Sequence, residues 1–590
     1  MAQQSEAAGV RPSERSPLLA RAANSNGQGG ASRSVEAAAA EVRQSKSQGN
    51  GSVPKIGGDD EEGQHEQVDG KGTRNGNVAR IISVLLIGIF VAQADGSILL
   101  ATHPVIASEF NDLENSSWLI TSFGLAGAAT QTLYGRLSDI YGRKPLVIVA
   151  YVIFVLGCAL VGMGQTMWQV VLGRVISGAG ASGMAGLVSI LITDLLPIRE
   201  VAQWRAYVNL VATLGRSIGG PLGGWLVDMI GWRWSFFGQV PPILLAIFLV
   251  TVSLPGSPAT PSPDGVDDGR ARKSKISRVD FKGALLFALA ILAFLLPVEL
   301  GGARLPWSHP AIVALFGLSP LLLLVFVAVE KRQEEPILPL GIFQRRDAVF
   351  SYAILGLQTA AQLSLMFSVP LYFQVTTRSS NTASGAHLVP AVVGNAIGGL
   401  ISGVIIKRSG RYKTLIILAV TLSSFSYLLL MLRWHGSTNF WESLYIFPSG
   451  FGTGIAHSAV FVSLQAVIAA AQDPSHLAPA ISFMYLTTTV AITLGVPLSN
   501  AVMQGALRRS LWRKLLALGV AGTEIAEIVE SAASDVDFVD QVTGKVRDAV
   551  VSSYVDGLWW SHGVSFLFST TAFVLALFIR QRSLDGPRTQ

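Results

Sequence analysis

Between Ile81 and Ile579 the sequence returns fourteen times to an apolar stretch of about 20 residues, the length that crosses about 30 Å of hydrocarbon as a helix. Barrel strands need only about 10 residues of alternating character, so stretches this long specify helices. Hydrophobic residues make up 50% of the chain and charged residues 14%, against about 25% charge in soluble domains. The expectation is an all-α membrane protein with 14 transmembrane helices and, the number being even, both termini on one side.

Loop charge sets the orientation. With the N-terminus in the cytoplasm, the inside loops hold Arg136, Arg143 and Lys144; Arg199 and Arg205; the cluster from Arg270 to Lys282; Lys331, Arg332, Arg345 and Arg346; and Lys407, Arg408, Arg411 and Lys413. The short outside loops carry one arginine or none: Arg233, Arg304, Arg378 and Arg433. This asymmetry follows the positive-inside rule, and it accounts for the net charge of +6 better than a nucleic-acid partner does. The single cysteine, Cys158, allows no intrachain disulfide and no cysteine metal site. No metal or cofactor is expected.

Residues 1–80 are too polar to offset their ordering entropy and read as a disordered cytoplasmic tail. No signal-peptide core precedes Ile81, so the first helix acts as an uncleaved signal. Within the tail, "ERSPLL" places Glu14 four positions before Leu18 and Leu19, similar to dileucine signals read by adaptor complexes; chance is the alternative for so short a pattern. Asn115 offers a glycan acceptor, although the nearby Trp118 sets it close to the bilayer. The outer loop 506–557 opens with the basic, amphipathic "ALRRSLWRKLLALG" and is expected to form short helices on the non-cytoplasmic surface. Residues 255–280 form a cytoplasmic linker, and 580–590 a cytoplasmic tail.

Charges inside the apolar stretches mark a candidate site, since each costs about 2.5 to 3.5 kcal/mol at a helix centre on insertion scales. At 1.5 Å per residue, Asp95 lies about 21 Å from the cytoplasmic face and Arg174 at the same height. They are either a static ion pair, or Asp95 exchanges a proton or holds a cationic substrate while Arg174 tunes it. Thr102 shares the Asp95 face and is expected to line the same cavity. Arg216 is a third charge near mid-membrane, with backbone, Asp95 or substrate as possible partners. In the second half His457 is a proton relay or a packing residue, Gln358 and Gln362 share one helix face, and His387 is a weaker candidate.

The link "GRLSDIYGRK" (135–144) resembles the signature loop of the major facilitator superfamily. Three more stretches resemble that family in the expected order: "LGRVISGAGASG" (172–183), "LGRSIGGPLGGWL" (214–226) and "GWRWSFF" (231–237). "ADGSILLATHPVIASEFNDLENSSWLITSF" is similar to the fungal vacuolar basic amino acid transporters within the fourteen-helix drug:proton antiporter branch. The resemblance implies two six-helix bundles, 81–254 and 348–579, with two inserted helices in 281–329 between them. It implies a latch made by Gly135, Asp139, Gly142, Arg143 and Asp194, in which Arg143 pairs with Asp194 and Asp139 faces the start of helix 13 near Pro479. It also implies a helix-packing motif of Gly215, Gly219, Gly220, Pro221, Gly223 and Gly224.

"GAGASG" satisfies a dinucleotide-binding pattern but lacks the strand that such a site requires. No Walker A loop, HExxH helix or GxSxG elbow occurs. An enzyme is not expected, and uphill transport must draw on an ion gradient. The resemblance therefore implies import of Lys, Arg or His into the vacuole by proton antiport across its membrane. Two alternatives stand beside it: multidrug, azole or secondary-metabolite efflux at the plasma membrane, and a nutrient receptor with little flux. The partners expected are protons, a small-molecule substrate and the lipid bilayer.

Overall fold

The computed structural model describes residues 62–584 except 113–115, 117, 255–277, 302–304, 334, 380, 472–475, 535 and 537, with side chains from Val78. Glu14, Leu18, Leu19 and Asn115 lie outside the described residues. The chain separates into two compact units, Met1–Gly72 and Thr73–Gln590.

In chain order the long helices are α1 (Glu62–Glu109), α2 (Trp118–Tyr141), α3 (Arg143–Met163), α4 (Met167–Leu195), α5 (Ile198–Ile230) and α6 (Trp232–Ser253, broken near Gly238). Next come α7 (Phe281–Leu300) and α8 (Pro310–Glu330). The series ends with α9 (Arg346–Thr376), α10 (Val389–Ser409), α11 (Lys413–Arg433), α12 (Phe447–Ala469), α13 (Leu477–Ala517) and α14 (Gly544–Phe578). Helices α1 to α6 form one bundle and α9 to α14 a second. The pair α7 and α8 is joined by Phe287 on Phe326, with ring centroids 4.8 Å apart, and by Ser319 donating to the Ala290 carbonyl at 3.0 Å. Helix α7 leans on α2 and α13, at the seam of the two bundles.

Twelve helices among the described residues are long and apolar enough to cross a membrane, two fewer than expected. The helices that fall short are α2 and α5. Helix α2 lies against α4, α7 and α13, and α5 lies against α1, α10 and α12 while leaving one face exposed. Polar side chains lower their apolar level, Gln131, Arg136 and Asp139 in α2 and Arg205, Asn209 and Arg216 in α5.

Two boundaries move. Helix α1 begins at Glu62, so residues 62–80 are not a disordered tail; once the apolar stretch is helical, each added residue gains a backbone hydrogen bond without a new nucleation step. The "ALRRSLWRKLLALG" segment is not a separate surface helix but the continuation of α13. Its apolar edge, Leu507, Leu511 and Leu515, is covered by Ile525, Val529 and Ala532 of the helix Gly522–Ser534 and by Tyr554. Ion pairs of Arg508 with Glu530 at 2.6 Å and of Lys514 with Asp556 at 2.7 Å rim this cap.

Ion pairs tie the described basic links together, Arg136 and Arg278 to Glu335, Arg143 to Asp194 and Lys407 to Glu200, and the side where they lie is the basic face. The described hydrogen bonds between the two bundles sit near that face or at mid-depth: Ser189 with Tyr485, Arg205 with Tyr485 and Lys407 with Gln203 near it, and Asn209 with Asn395 at mid-depth. Farther along α5, Leu214, Ile218, Leu222 and Trp225 are exposed. The bundles are thus closed together at the basic face and parted toward the opposite one. Glycine permits the closure: a Cβ on Gly403 would lie 2.7 Å from Gln203 Cα, and one on Gly135 would lie 2.9 Å from the Ala478 carbonyl. Since Gln203 presents backbone there, Gly403→Val is expected to hold the basic face open. Uptake should fall at least about ten-fold, the effect of about 1.4 kcal/mol of lost closure, while the thermal midpoint of the purified variant stays near that of the parent. A variant with parental uptake would refute this role.

Candidate functional site

The structure brings Asp95 and Arg174 into contact. Arg174 Nη1 donates to Asp95 Oδ2 at 2.7 Å, Nε donates to the Leu119 carbonyl at 3.1 Å, and the guanidinium lies 4.3 Å from the Phe123 ring centroid. The side chains are 0% and 1% exposed, so the pair is sealed from solvent in this conformation. Asp95 Oδ1 accepts no hydrogen bond. Thr102 is sealed with it, donating back to the Leu99 carbonyl at 3.4 Å, and does not line an accessible cavity.

Arg216 behaves differently. It is exposed, and Nη1 donates to Gln93 Oε1 at 2.9 Å, which identifies its partner as neither Asp95 nor backbone. Three glycines set α5 close to α1 at this level: a Cβ on Gly215 would lie 2.6 Å from the Phe90 carbonyl, one on Gly219 2.5 Å from that of Ala94, and one on Gly223 2.9 Å from Ile98 Cα. Gly220 and Gly224 take no part, having nothing nearer than 3.9 Å and nothing within 4 Å, because the helical rotation turns them off the α1 face. Pro221 is exposed within the same helix.

Across the cleft His457 of α12 is half-buried and makes no hydrogen bond among the described residues, and the charges of Arg205 and Arg216 both act on it. The candidate groups left accessible are Arg216, held by Gln93, on α5 and His457 on α12. Gln358 and Gln362 do not join them. Gln358 Nε2 donates to Ser423 Oγ at 2.9 Å and Gln362 Oε1 accepts from Thr453 at 3.2 Å, so both are turned inward to tie α9 to α11 and α12. His387 is packed away, stacked on Phe373 with centroids 3.5 Å apart and within 2.5 Å of Ser443 Oγ.

At the basic face Arg143 bridges two carboxylates, Asp139 at 2.6 Å and Asp194 at 2.8 Å. Gly142, at φ 94°, makes the turn that L side chains resist. Asp139 Oδ2 accepts no hydrogen bond, so Asp139 is not bonded to the start of α13; Gly135, one turn earlier, is the residue that meets that helix. Arg136 adds a tether, pairing at 2.9 Å with Glu335 in the α8–α9 link.

Sequence reasoning assigned Arg205 to an inside loop. It is instead buried in α5, at 7% exposure. One nitrogen donates to Ser189 Oγ and to Tyr485 OH, both at 2.6 Å, and the guanidinium sits 4.3 Å from the Phe461 ring centroid. Its position about two turns past Ile198 was the available signal, since that depth already lies inside a membrane helix. Gln93 and the Asn209–Asn395 contact were missed because uncharged amides carry no such signal.

Two helical bundles closed at one end around a polar cleft define a carrier rather than a catalyst. A Major Facilitator Superfamily model matches residues 85–390 and 348–522, and the chain belongs to that superfamily: it is a multi-pass membrane protein and a secondary transporter of a small-molecule substrate, not an enzyme. It is 31% identical over 514 residues to the vacuolar membrane amino acid uptake transporter fnx2 of Schizosaccharomyces pombe, spanning 86% of this chain and 85% of the relative. It is 27% identical over 505 residues to the multidrug resistance protein fnx1 of the same yeast, spanning 85% and 92%. Among solved structures, the proton:xylose symporter XylE matches with a TM-score of 0.54 at 13% identity over 87% of this chain and 98% of that one, which speaks to the fold alone.

Proposed function

We propose that the protein carries amino acids, in particular Lys, Arg and His, into the vacuole in exchange for protons. The observation that carries this reading is Arg216, an exposed guanidinium in the cleft held by the neutral Gln93. It fits the α-carboxylate common to amino acids, bidentate at short range. The relation to a vacuolar amino acid uptake transporter supports the same reading. His457, facing the cleft without a hydrogen bond among the described residues, is the proton-exchanging group in this reading. Asp95 and Arg174, sealed in this state, hold α1 and α4 together and exchange protons only if a later state admits water.

In this reading α2 and α5 cross the membrane too, giving fourteen spans, and the basic face is cytoplasmic. Gly135, Asp139, Gly142, Arg143 and Asp194 latch that face while the cleft opens to the lumen, and Gly215, Gly219 and Gly223 seat α5 on α1 beside the site. The relation to a multidrug resistance protein favours drug efflux as a second reading. Arg216 favours the first reading, because it can pair with an α-carboxylate, whereas a cation without a carboxylate would meet only its repulsion.

The test is uptake of labelled Lys, Arg and His by sealed vesicles holding the purified protein with an acidic interior. Protons leave down their gradient, about 1.4 kcal/mol per pH unit, so amino acid should accumulate inside. Collapsing the gradient should abolish accumulation; uptake that persists unchanged refutes antiport. Location of the tagged protein before and after Leu18→Ala and Leu19→Ala separates vacuolar import from plasma-membrane efflux.

A further inference from the structure

At the basic face the amino end of α9 and the segment after α14 enclose a cavity of about 350 Å³ lined by Arg345, Arg346, Asp347, Arg580 and Arg582. Four arginines thus line it beside one carboxylate. Asp347 is 5% exposed and accepts from Arg582 Nη2 at 2.9 Å, while Arg346 reaches the Phe578 carbonyl at 3.4 Å. Arg345 and Arg580 have no acidic partner among the described residues. Arg582 Nε and Asp347 Oδ1 are buried without hydrogen bonds.

The far wall is held in place. Gln581 accepts from the backbone amides of Tyr412 and Lys413 at 3.2 and 3.0 Å and donates to the Gly410 carbonyl at 2.9 Å. The amide of Arg582 donates to Tyr412 OH at 2.8 Å. The opposite wall is the start of the 31-residue α9, whose positive dipole end adds to the arginines.

Orientation in the membrane requires only scattered positive charge on this face. It does not require arginines gathered around one cavity with a single carboxylate among the described lining residues. Arginine forks match phosphate oxygens, and the volume suits a phosphorylated ring. Val349, Leu577 and Phe578, neighbours in sequence of the lining residues, are exposed large apolar side chains. An acyl chain would cover them, and a free phosphate would not.

We propose that this cavity binds the phosphomonoester headgroup of an anionic membrane lipid. The assignment of that lipid to the cytoplasmic leaflet rests on the orientation given above. Basic pockets at the cytoplasmic ends of membrane helices take such headgroups on general electrostatic grounds.

The test titrates the purified full chain in detergent with three probes: a short-chain phosphatidylinositol monophosphate, a short-chain phosphatidylserine at matched charge, and a soluble inositol bisphosphate. The phosphorylated inositol lipid is expected to raise the thermal midpoint by roughly 3 °C at a hundred-fold excess over half-saturation. Arg345→Gln with Arg580→Gln should weaken that response at least about ten-fold. Arg408→Gln with Arg411→Gln, which removes equal charge from a neighbouring link, should leave it within about two-fold. An equal response to phosphatidylserine, or equal weakening by both variant pairs, overturns the site in favour of diffuse surface charge. A soluble bisphosphate as effective as the lipid overturns the lipid source. Protease access to a C-terminal tag in sealed vesicles reports the orientation separately, so a failure of that reading is told apart from a failure of the site.

Discussion

Arg205→Ala is expected to unlock the basic face. The side chain crosses between bundles with one hydrogen bond from a charged donor, to Tyr485, about 1.5 to 3 kcal/mol, and a contact with the Phe461 ring worth about 1 kcal/mol, while its bond to Ser189 stays within the first bundle. A net loss of only about 2 kcal/mol from the closed state changes the ratio of the two states about thirty-fold. The readout is alkylation from the basic side of Ser482→Cys, a position that is 0% exposed beside Gly135 and whose hydroxyl has no hydrogen-bond partner to lose. The native Cys158 is buried and gives little background. Labelling should be slow in the parent and at least ten times faster with Arg205→Ala. Tyr485→Phe, which removes the hydroxyl shared by Arg205 and Ser189, should give an intermediate rate. If labelling rates match the parent, Arg205 does not hold the gate.

The second large effect falls on the sealed pair. Arg174→Gln leaves Asp95 buried and uncompensated, a defect of about 3 to 5 kcal/mol. The thermal midpoint of the solubilised variant should fall by several degrees. Adding Asp95→Asn removes the stranded charge, and the double variant should recover most of that loss. Proton exchange at Asp95 and a purely structural pair then part company. A double variant that is stable and still concentrates amino acid assigns the pair to structure; one that is stable but inactive assigns Asp95 to coupling. Additive losses of stability in the two single variants would show that the pair is not coupled at all.

Much of this protein was legible before any coordinates. The apolar stretches specified helices because a crossing segment has a required length, and Asp95 and Arg174 could be set at one height because the rise per residue is constant. The link at 135–144 located Arg143 beside Asp194 through its resemblance to a known family. Depth is a one-dimensional property, and a linear sequence records it well.

Rotation about the helix axis is another matter, and several corrections at the site trace to it. Gln358 and Gln362 lie at cavity depth yet face α11 and α12, while Arg216 faces the cleft. Gly220 and Gly224 share a motif with Gly219 and Gly223 but not their face. Helices α2 and α5 fall below the apolar level of the others through polar side chains such as Gln131 and Arg205, which meet neighbouring helices, and Arg216, which is exposed.

The sequence by itself determined that the chain is a helical membrane carrier, where along each helix its charges sit, and which face is basic. Only the tertiary structure decided which of those charges meet, which are sealed from water, that Arg205 bridges the bundles, and at which end the cleft is closed. The reason is physical: hydropathy and rise per residue act within one helix, whereas burial, pairing and gating depend on helices far apart in the chain.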